Sequence, residues 1–464
     1  MQQTSQEESS ESESNLRRNI VLFIVTNKRG DGTQKGSKGK KDEHYSSFLL
    51  PASTARLTKD TEERIFVLDI DDPKNKGFWE GEENASIWAF PVDENYRVEA
   101  FETYKKGTFG QSKDQPQKIF LKPGTQPGTQ QIDPREVSFV IPYVSAEADP
   151  VLLRNMSKPF LPDTGMLNDP NSLETCDSKD SLEVTRTDPA AAHIAQYFLP
   201  NILIKTPEEY YNLKAQYPEG VVLRDPRGTE GIGVFIKDEI EENGGIEQKL
   251  KEYPKGLLLT PFFDTRKTGD TRVYVFVDEN NQVTVLPQGI KRIAGPGKYA
   301  KCNVSAGGSF EIVELTDKQK EVAAQAGLYY KETYGLHWIG FDFFFTPKGE
   351  KPQVIGNQEY PIVISEGNFS PDGLIYIPNG VETVSSLCVG RIRRTEQRQR
   401  NNLQVSQQTL LTSQAQIERP KTPEQKLVQA LGEIGTQIGE RQAKILNPAG
   451  SSQNARTGLA AGLN

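Results

Sequence analysis

The stretch VISEGNFSPDG, residues 363–373, follows Ile362 as a buried strand would. It then places Glu366 and Asn368 where apolar side chains should continue, and it breaks at Pro371 and Gly373. In an extended chain residues i and i+2 point to the same face, so these two side chains offer a carboxylate and an amide side by side. That pattern asks for a third oxygen ligand. Asp342 supplies one, because it interrupts WIGFDFFF (Trp338–Phe345), which otherwise reads as an unbroken apolar strand. If the two strands pair as a hairpin, Asp342, Glu366 and Asn368 share a face and form a candidate metal site. A small set of hard oxygen donors suits Mg2+, with Mn2+ as the alternative, since Mg2+ keeps several waters and binds together with substrate phosphates. A buried acid that merely pairs with an arginine is the competing reading for Asp342 alone. Three polar residues on two apolar strands are harder to explain that way.

Composition sets the frame. A chain of 464 residues, 35% hydrophobic and 9% aromatic, is long enough for two or three packed domains. A net charge of -8 argues against a general nucleic-acid binder, which needs clustered Lys and Arg to release counterions. Cys176, Cys302 and Cys388 lie far apart and form no CxxC, which suggests neither a disulfide framework nor a zinc module and fits a reducing cytoplasm. The polar first residues contain no apolar signal core, and no stretch of about eighteen apolar residues occurs, so no secretion signal and no membrane partner are expected.

Along the chain, residues 1–17 read as a disordered leader of Gln, Ser and Glu. NIVLFIV (19–25), RIFVLDI (64–70) and SFVIPYV (138–144) read as buried strands of an N-terminal α/β domain over residues 18–166. Between the first two, KRGDGTQKGSKGKKDE (28–43) is a Gly- and Lys-rich loop, better read as solvated surface than as a phosphate site. TPEEYYNLK predicts a helix start with Thr206 as N-cap, Pro207 at the first position and Glu209 closing a capping box. EGVVLRDPRGTEGIGVFIK (219–237) reads as strand, glycine loop, strand. Arg224 ends the first strand, and Gly228, Gly231 and Gly233 let backbone N–H groups approach phosphate. The spacing fits neither a P-loop nor a dinucleotide fingerprint. DKQKEVAAQAGLYYKETYG (317–335) has helical periodicity and stops at Gly335. His337 beside Trp338 reads as a packed aromatic, and Cys302 as a small buried residue rather than a reactive thiol. Residues 387–464 read as a mostly disordered polar tail with a helix near 423–446, where Leu427, Leu431, Ile434 and Ile438 line one face.

The order of these motifs resembles the ATP-grasp superfamily, and prokaryotic glutathione synthetase in particular, over roughly Leu167 to Tyr376. The carrying segments are NDPNSLETCDSKDSL, Arg224 with its glycine loop, GDTR (269–272), KRIAGPGKYAKCNVSAGG (291–308) and GFDFFF followed by ISEGN. The resemblance implies an α/β (α+β) fold with an N-terminal α/β domain, a lid domain over 167–262 and an antiparallel-sheet domain over 263–386. The nucleotide lies between the last two. It implies that Lys179 and Arg224 contact ATP phosphate, Arg standing where the family has a second lysine. The backbone of Thr260–Phe263 holds adenine, with Phe262 and Phe263 as walls. Asp270 and Arg272 enter a functional strand, Arg292 steadies the transferring phosphoryl group, and Lys301 and Asn303 meet the acyl substrate on a mobile loop. Lys301 stands where the family usually has Arg. Asp342, Glu366 and Asn368 become the Mg2+ triad.

The expected reaction is an ATP-dependent carboxylate–amine ligation through an acyl phosphate, with small-molecule acid and amine substrates and a homo-oligomer by analogy. The glycine loop and the loop at 294–308 would close over the acyl phosphate, which water destroys. Two departures bear on substrate identity: the insert PKGEKPQVIGNQEYP (347–361) and the turn FSPDG after Asn368. The insert would either lengthen the hairpin or build a wall beside the metal site. A ligase for another peptide or natural-product pair, and a non-catalytic nucleotide-binding protein acting through its polar tails, are the alternatives.

Overall fold

Apolar runs become strands in three sheets. The computed structural model describes residues 18–25, 46–70, 72–82, 85–93, 98–102, 119–123, 128–143, 150–176, 178–228, 233–236, 238–242, 244–266, 268–295, 302, 309–346, 349–369, 371, 373–418, 428, 431–434 and 436–437. The first sheet contains β1 (Ile20–Val25), β2 (Arg64–Asp69) and β3 (Ile87–Val92). A separate antiparallel pair, β4 (Val98–Glu102) and β5 (Ile119–Pro123), precedes its remaining strands β6 (Gln130–Ile132), β7 (Val137–Tyr143) and β8 (Gly165–Met166). The order is β6-β3-β2-β1-β7-β8. Strand β1 runs parallel to both β2 and β7 and is buried along its whole length, which explains why NIVLFIV shows no alternation.

The second sheet is small and antiparallel, with β9 (Ile202–Ile204), β10 (Val221–Arg224), β11 (Val234–Ile236) and β12 (Leu257–Pro261) in the order β11-β10-β12-β9. The helix Pro207–Lys214 covers it and starts with the expected capping box: the Thr206 side chain accepts from Glu209 N, and the Glu209 side chain accepts from Thr206 N. The third sheet comprises β13 (Asp270–Val277), β14 (Val283–Val285), β15 (Gln288–Ile293), β16 (Ser309–Glu314) and β17 (Trp338–Phe345). The insert then folds as a separate hairpin, β18 (Gln353–Ile355) with β19 (Gln358–Tyr360), before the sheet resumes with β20 (Ile362–Asn368). The order is β16-β15-β13-β17-β20, with β14 paired to β13.

Helix Asp317–Tyr334 packs on the face of this sheet that carries Val273, Val275, Phe341 and Phe343. Phe341 and Phe343 are fully buried, and burying each stabilises the fold by roughly 1.5–3 kcal/mol. Gly327 permits the close approach, since a Cβ there would sit 2.5 Å from Val275 Cγ1. The opposite face of the third sheet is left for polar chemistry near Asp342. Two apolar clusters each draw residues from the first and the third sheet, so the two share a core.

The tail departs from expectation. Residues 387–418, read as mostly disordered, continue the helix Gly380–Glu418. Its first turns bury Val384, Cys388 and Ile392. Arg394 Nε donates to Glu279 Oε2 at 2.8 Å, Arg391 pairs with Glu279 at 3.3 Å, and Arg391 Nη2 donates to Met166 O at 2.7 Å. The first turns of this Gln- and Arg-rich segment, through Glu396, order because about every fourth residue finds a core or a counter-charge, whereas Val405 further along is 61% exposed. Of the helix expected at 423–446, residues 428, 431–434 and 436–437 are helical and the others lie outside the described residues, as does the Lys-rich loop at 28–43. No helix among the described residues is long and apolar enough to cross a membrane.

Candidate functional site

Register assembles the site. Strand β13 sets Arg272 opposite Asp342 on β17, and β17 sets Asp342 opposite Glu366 on β20. One pleat away, Asp270 lies opposite Arg292 on β15, and Asn368 lies opposite Gly340. Directly opposed residues and i, i+2 neighbours share a face, so all six side chains project from one side of the sheet. The Asp342–Glu366 register includes a bulge: Phe343 pairs with Ile364 and Asp342 with Glu366, which leaves Ser365 as the extra residue. Ser365 Oγ donates to Asp342 O at 2.9 Å and holds the bulge in place.

Asp342, 2% exposed, is saturated with donors. Arg272 grips it with two bonds, Nε to Oδ1 at 2.8 Å and Nη2 to Oδ2 at 2.9 Å. Arg292 Nη2 reaches Oδ2 at 2.7 Å, and Asn368 Nδ2 reaches the same oxygen at 3.2 Å. Arg292 Nε also donates to Asp270 Oδ1 at 2.5 Å, which orients its guanidinium. Two acids and two bases thus form a neutral network. Burial alone would push the Asp342 carboxyl up, but Arg272 and Arg292 outweigh it and hold the group well below the usual carboxylate range. Burial lifts Asp270 to about 6, opposed by Arg292 and reinforced by the charge on Asp342. Burial also disfavours the charge on each arginine, yet the carboxylates prevail and raise both guanidinium pKa values. Both arginines stay charged at any working pH.

Lys179, 9% exposed, lies beside this face. Its Nζ is 2.9 Å from Glu366 Oε1 and donates to Gly228 O at 2.5 Å, while its backbone N–H donates to Pro226 O. It therefore joins the strand carrying Glu366 to the glycine loop. That loop is closed at its base by the Asp225 N–H donating to Gly233 O at 2.9 Å. Arg224 points across to β20, where Nη1 donates to Ser365 O at 3.2 Å and Nη2 donates to Asn201 Oδ1 and to Thr260 Oγ1. A fork spreads over three partners where a lysine would present a single point.

Phe262 and Phe263 are 5% and 3% exposed. The Phe263 ring stacks on Phe344 at 5.2 Å inside a cluster with Leu199, Ile355, Tyr360 and Val363, so the insert contributes a wall beside this strap. Gly231, Lys301 and Asn303 lie outside the described residues. Cys302 is 1% exposed, and burial pushes its thiol up to about 11, in keeping with a packed rather than reactive residue. His337 is 7% exposed and donates from Nδ1 to Val277 O at 2.6 Å.

Several contributors escaped sequence reasoning. Asn168, 1% exposed, donates to Trp338 O and Phe369 O at 2.9 Å each and accepts from His337 N and Trp338 N, so it pegs the start of β17 to the residue after Asn368. Asn201 accepts from both Thr260 and Arg224. A lone asparagine in a loop carries no local signal, so neither was legible. Gln353 lies within the insert, and the unusual length of that segment was the available clue.

Asp342, Glu366 and Asn368 offer two carboxylates and an amide. Among the described residues no group of three or more His, Cys, Asp or Glu side chains gathers to hold a metal ion. An all-protein cage is therefore not built here. Three hard oxygen donors that leave room for water and phosphate oxygens have the chemistry a divalent cation takes.

Residues 190–346 match the family model described as the ATP-grasp domain of prokaryotic glutathione synthetase. A probable alpha-L-glutamate ligase of Haemophilus influenzae is 28% identical over 128 residues, covering 28% of this chain and 39% of that protein. Its counterpart from Pasteurella multocida is 24% identical over 152 residues, 32% of this chain and 45% of that protein. The chain thus spans about two fifths of the length of these curated relatives. Among solved structures, D-cycloserine synthetase aligns with a TM-score of 0.47 at 11% identity, covering 80% of this chain and 99% of that one. D-alanyl-alanine synthetase A from Vibrio cholerae gives 0.44 at 14%, covering 82% and 98%. The family match over residues 190–346 and these curated relatives support an ATP-grasp superfamily member.

Proposed function

We propose that the chain is an ATP- and Mg2+-dependent carboxylate–amine ligase that makes an amide through an acyl phosphate and releases ADP and phosphate. The observation that carries this reading is the sheet face where Asp342, Glu366 and Asn368 stand together with Arg272, Arg292 and Lys179 bordering them. A carboxylate resists attack by an amine because its carbonyl is resonance-stabilised and its leaving group is poor. Phosphorylating it creates a good leaving group, and that transfer concentrates negative charge that positioned cations can offset.

Asp342, Glu366 and Asn368 would hold Mg2+, which would supply positive charge against the phosphates. The chain's own groups do the rest. Arg272 keeps Asp342 ionised and oriented. Arg292, anchored by Asp270, presents a fixed guanidinium to the transferring group. Lys179 and Arg224 border the phosphates beside the glycine loop at Gly228, Gly231 and Gly233. Lys301 and Asn303 are assigned to the acyl substrate, and the Phe262–Phe263 strap to the adenine. In this reading residues 18–166 form the substrate-side domain, 167–262 the lid and 263–386 the catalytic sheet. The names of the curated relatives make glutamate the first amine to test. Free, buried Cys176, Cys302 and Cys388 suit a cytoplasmic protein.

The test is phosphate release from ATP and Mg2+ by the full chain. Glutamate is offered with pooled acids, γ-glutamylcysteine with glycine, and each substrate alone. Glu366→Gln serves as the control, because Glu366 is a third exposed and its replacement disturbs the core least. Release that requires both an acid and an amine and vanishes in the control supports the ligase. ATP binding without turnover on any pair replaces it with a non-catalytic nucleotide-binding role.

A further inference from the structure

The insert at 347–361 does something specific to the strap that joins the lid sheet to the catalytic sheet. That strap leaves β12 at Pro261 and enters β13 at Asp270. Between them Asp264 belongs to no strand, yet both of its backbone groups are paired. Gln353 Oε1 accepts from Asp264 N at 2.9 Å, and Gln353 Nε2 donates to Asp264 O at 2.8 Å. A primary amide presents a donor and an acceptor side by side, so one side chain reproduces the two bonds of a strand neighbour.

The clamp has a rigid base. Gln353 begins a hairpin in which it pairs with Tyr360 and Ile355 pairs with Gln358, around Gly356 at φ 60°, a left-handed turn position that favours glycine. Ile355 and Tyr360, 5% and 6% exposed, bury against Leu199, Phe263 and Val363. Thr265 is fully buried, its carbonyl accepts from Gly269 N at 2.8 Å, and the next residue is Asp270, which holds Arg292.

We infer that the β18–β19 hairpin is a clamp that sets the position of the strap at Phe262–Asp264, with Gln353 as a positioning residue for nucleotide binding. This rests on the proposed function, in which that strap meets the adenine. A loose strap weakens the hold on the base and leaves the phosphate contacts of Lys179 and Arg224 as they are.

The experiment measures Mg2+-dependent binding of ATP and of inorganic tripolyphosphate by titration calorimetry, using the full chain and Gln353→Met. Methionine keeps the length of the side chain and removes both amide bonds. Two hydrogen bonds of ordinary strength correspond to roughly a tenfold loss of ATP affinity, with tripolyphosphate binding within twofold of wild type. ATP affinity within twofold of wild type, or equal loss for both ligands, overturns the clamp. If wild type itself binds no ATP, the proposed function falls first and the clamp with it. Should Gln353→Met fail to fold, Gln353→Glu answers the same question. It keeps the acceptor for Asp264 N and sets an anion against Asp264 O, and it is expected to lose at least as much ATP affinity as Gln353→Met.

Discussion

Replacing Arg272 with methionine tests the charge network at the centre of the site. The substitution deletes the 2.8 and 2.9 Å bonds to Asp342 and leaves that carboxylate, 2% exposed, with Arg292 and Asn368 alone. Charge-assisted hydrogen bonds contribute about 1.5–3 kcal/mol each. Stripping one partner from a buried pair costs about 3–5 kcal/mol, because an uncompensated charge remains. Asp342→Leu costs a similar amount, since it leaves two guanidiniums facing Asp270 only. The double variant removes one charge of each sign and retains the neutral Asp270–Arg292 pair. Its loss is expected to fall short of the summed single losses by about 3 kcal/mol, the signature of a coupled pair. The assay is urea unfolding of the full chain at pH 7.5, followed by fluorescence and circular dichroism with matched slopes. The double variant should regain stability, and on the proposed function it still forms no ADP, because Asp342 is gone. Single effects that add to within about 0.5 kcal/mol would refute the network.

Two further outcomes follow from groups outside the chemistry. Burial first, then the charge on Arg391, hold the His337 ring down to about 4 from its ordinary 6.5. The unfolded chain binds the proton more readily, so this group's stabilisation is complete above about pH 6.5 and is lost as pH falls toward 4. Over that window it amounts to about 3 kcal/mol. His337→Gln is expected to flatten this part of the stability–pH curve, and an unchanged slope between pH 6.5 and 4.5 would sink the assignment. Asn168→Ala strips four backbone groups of their partner at the junction of β17 and Phe369. At about 1 kcal/mol per lost bond, denaturant unfolding should register a loss of about 4 kcal/mol. A loss below about 1 kcal/mol would mean that water replaces the amide.

Much of the fold was legible because its signals are local. The apolar runs at Ile20–Val25 and Trp338–Phe345 announced strands by burial demand, and Thr206 with Glu209 announced a helix start by capping chemistry. The helix ending at Gly335 was marked by a residue that accepts φ 66°. Residues 387–418 misled because a Gln- and Arg-rich segment looks unable to bury anything. The docking of its first turns depends on Glu279 and Met166, more than a hundred residues away.

The candidate site divides along the same line. Glu366 and Asn368 at spacing two, with Asp342 in an apolar run, were determined by the sequence by itself, since strand geometry puts i and i+2 on one face whatever the rest of the chain does. Only the tertiary structure decided that Asp342 is held by Arg272 and Arg292, 70 and 50 residues distant in the chain, that Ser365 bulges to align Asp342 with Glu366, and that Gln353 grips Asp264. Those facts depend on register and on which strands become neighbours. Register is the sum of many weak packing preferences spread over the whole chain, so no short stretch contains it.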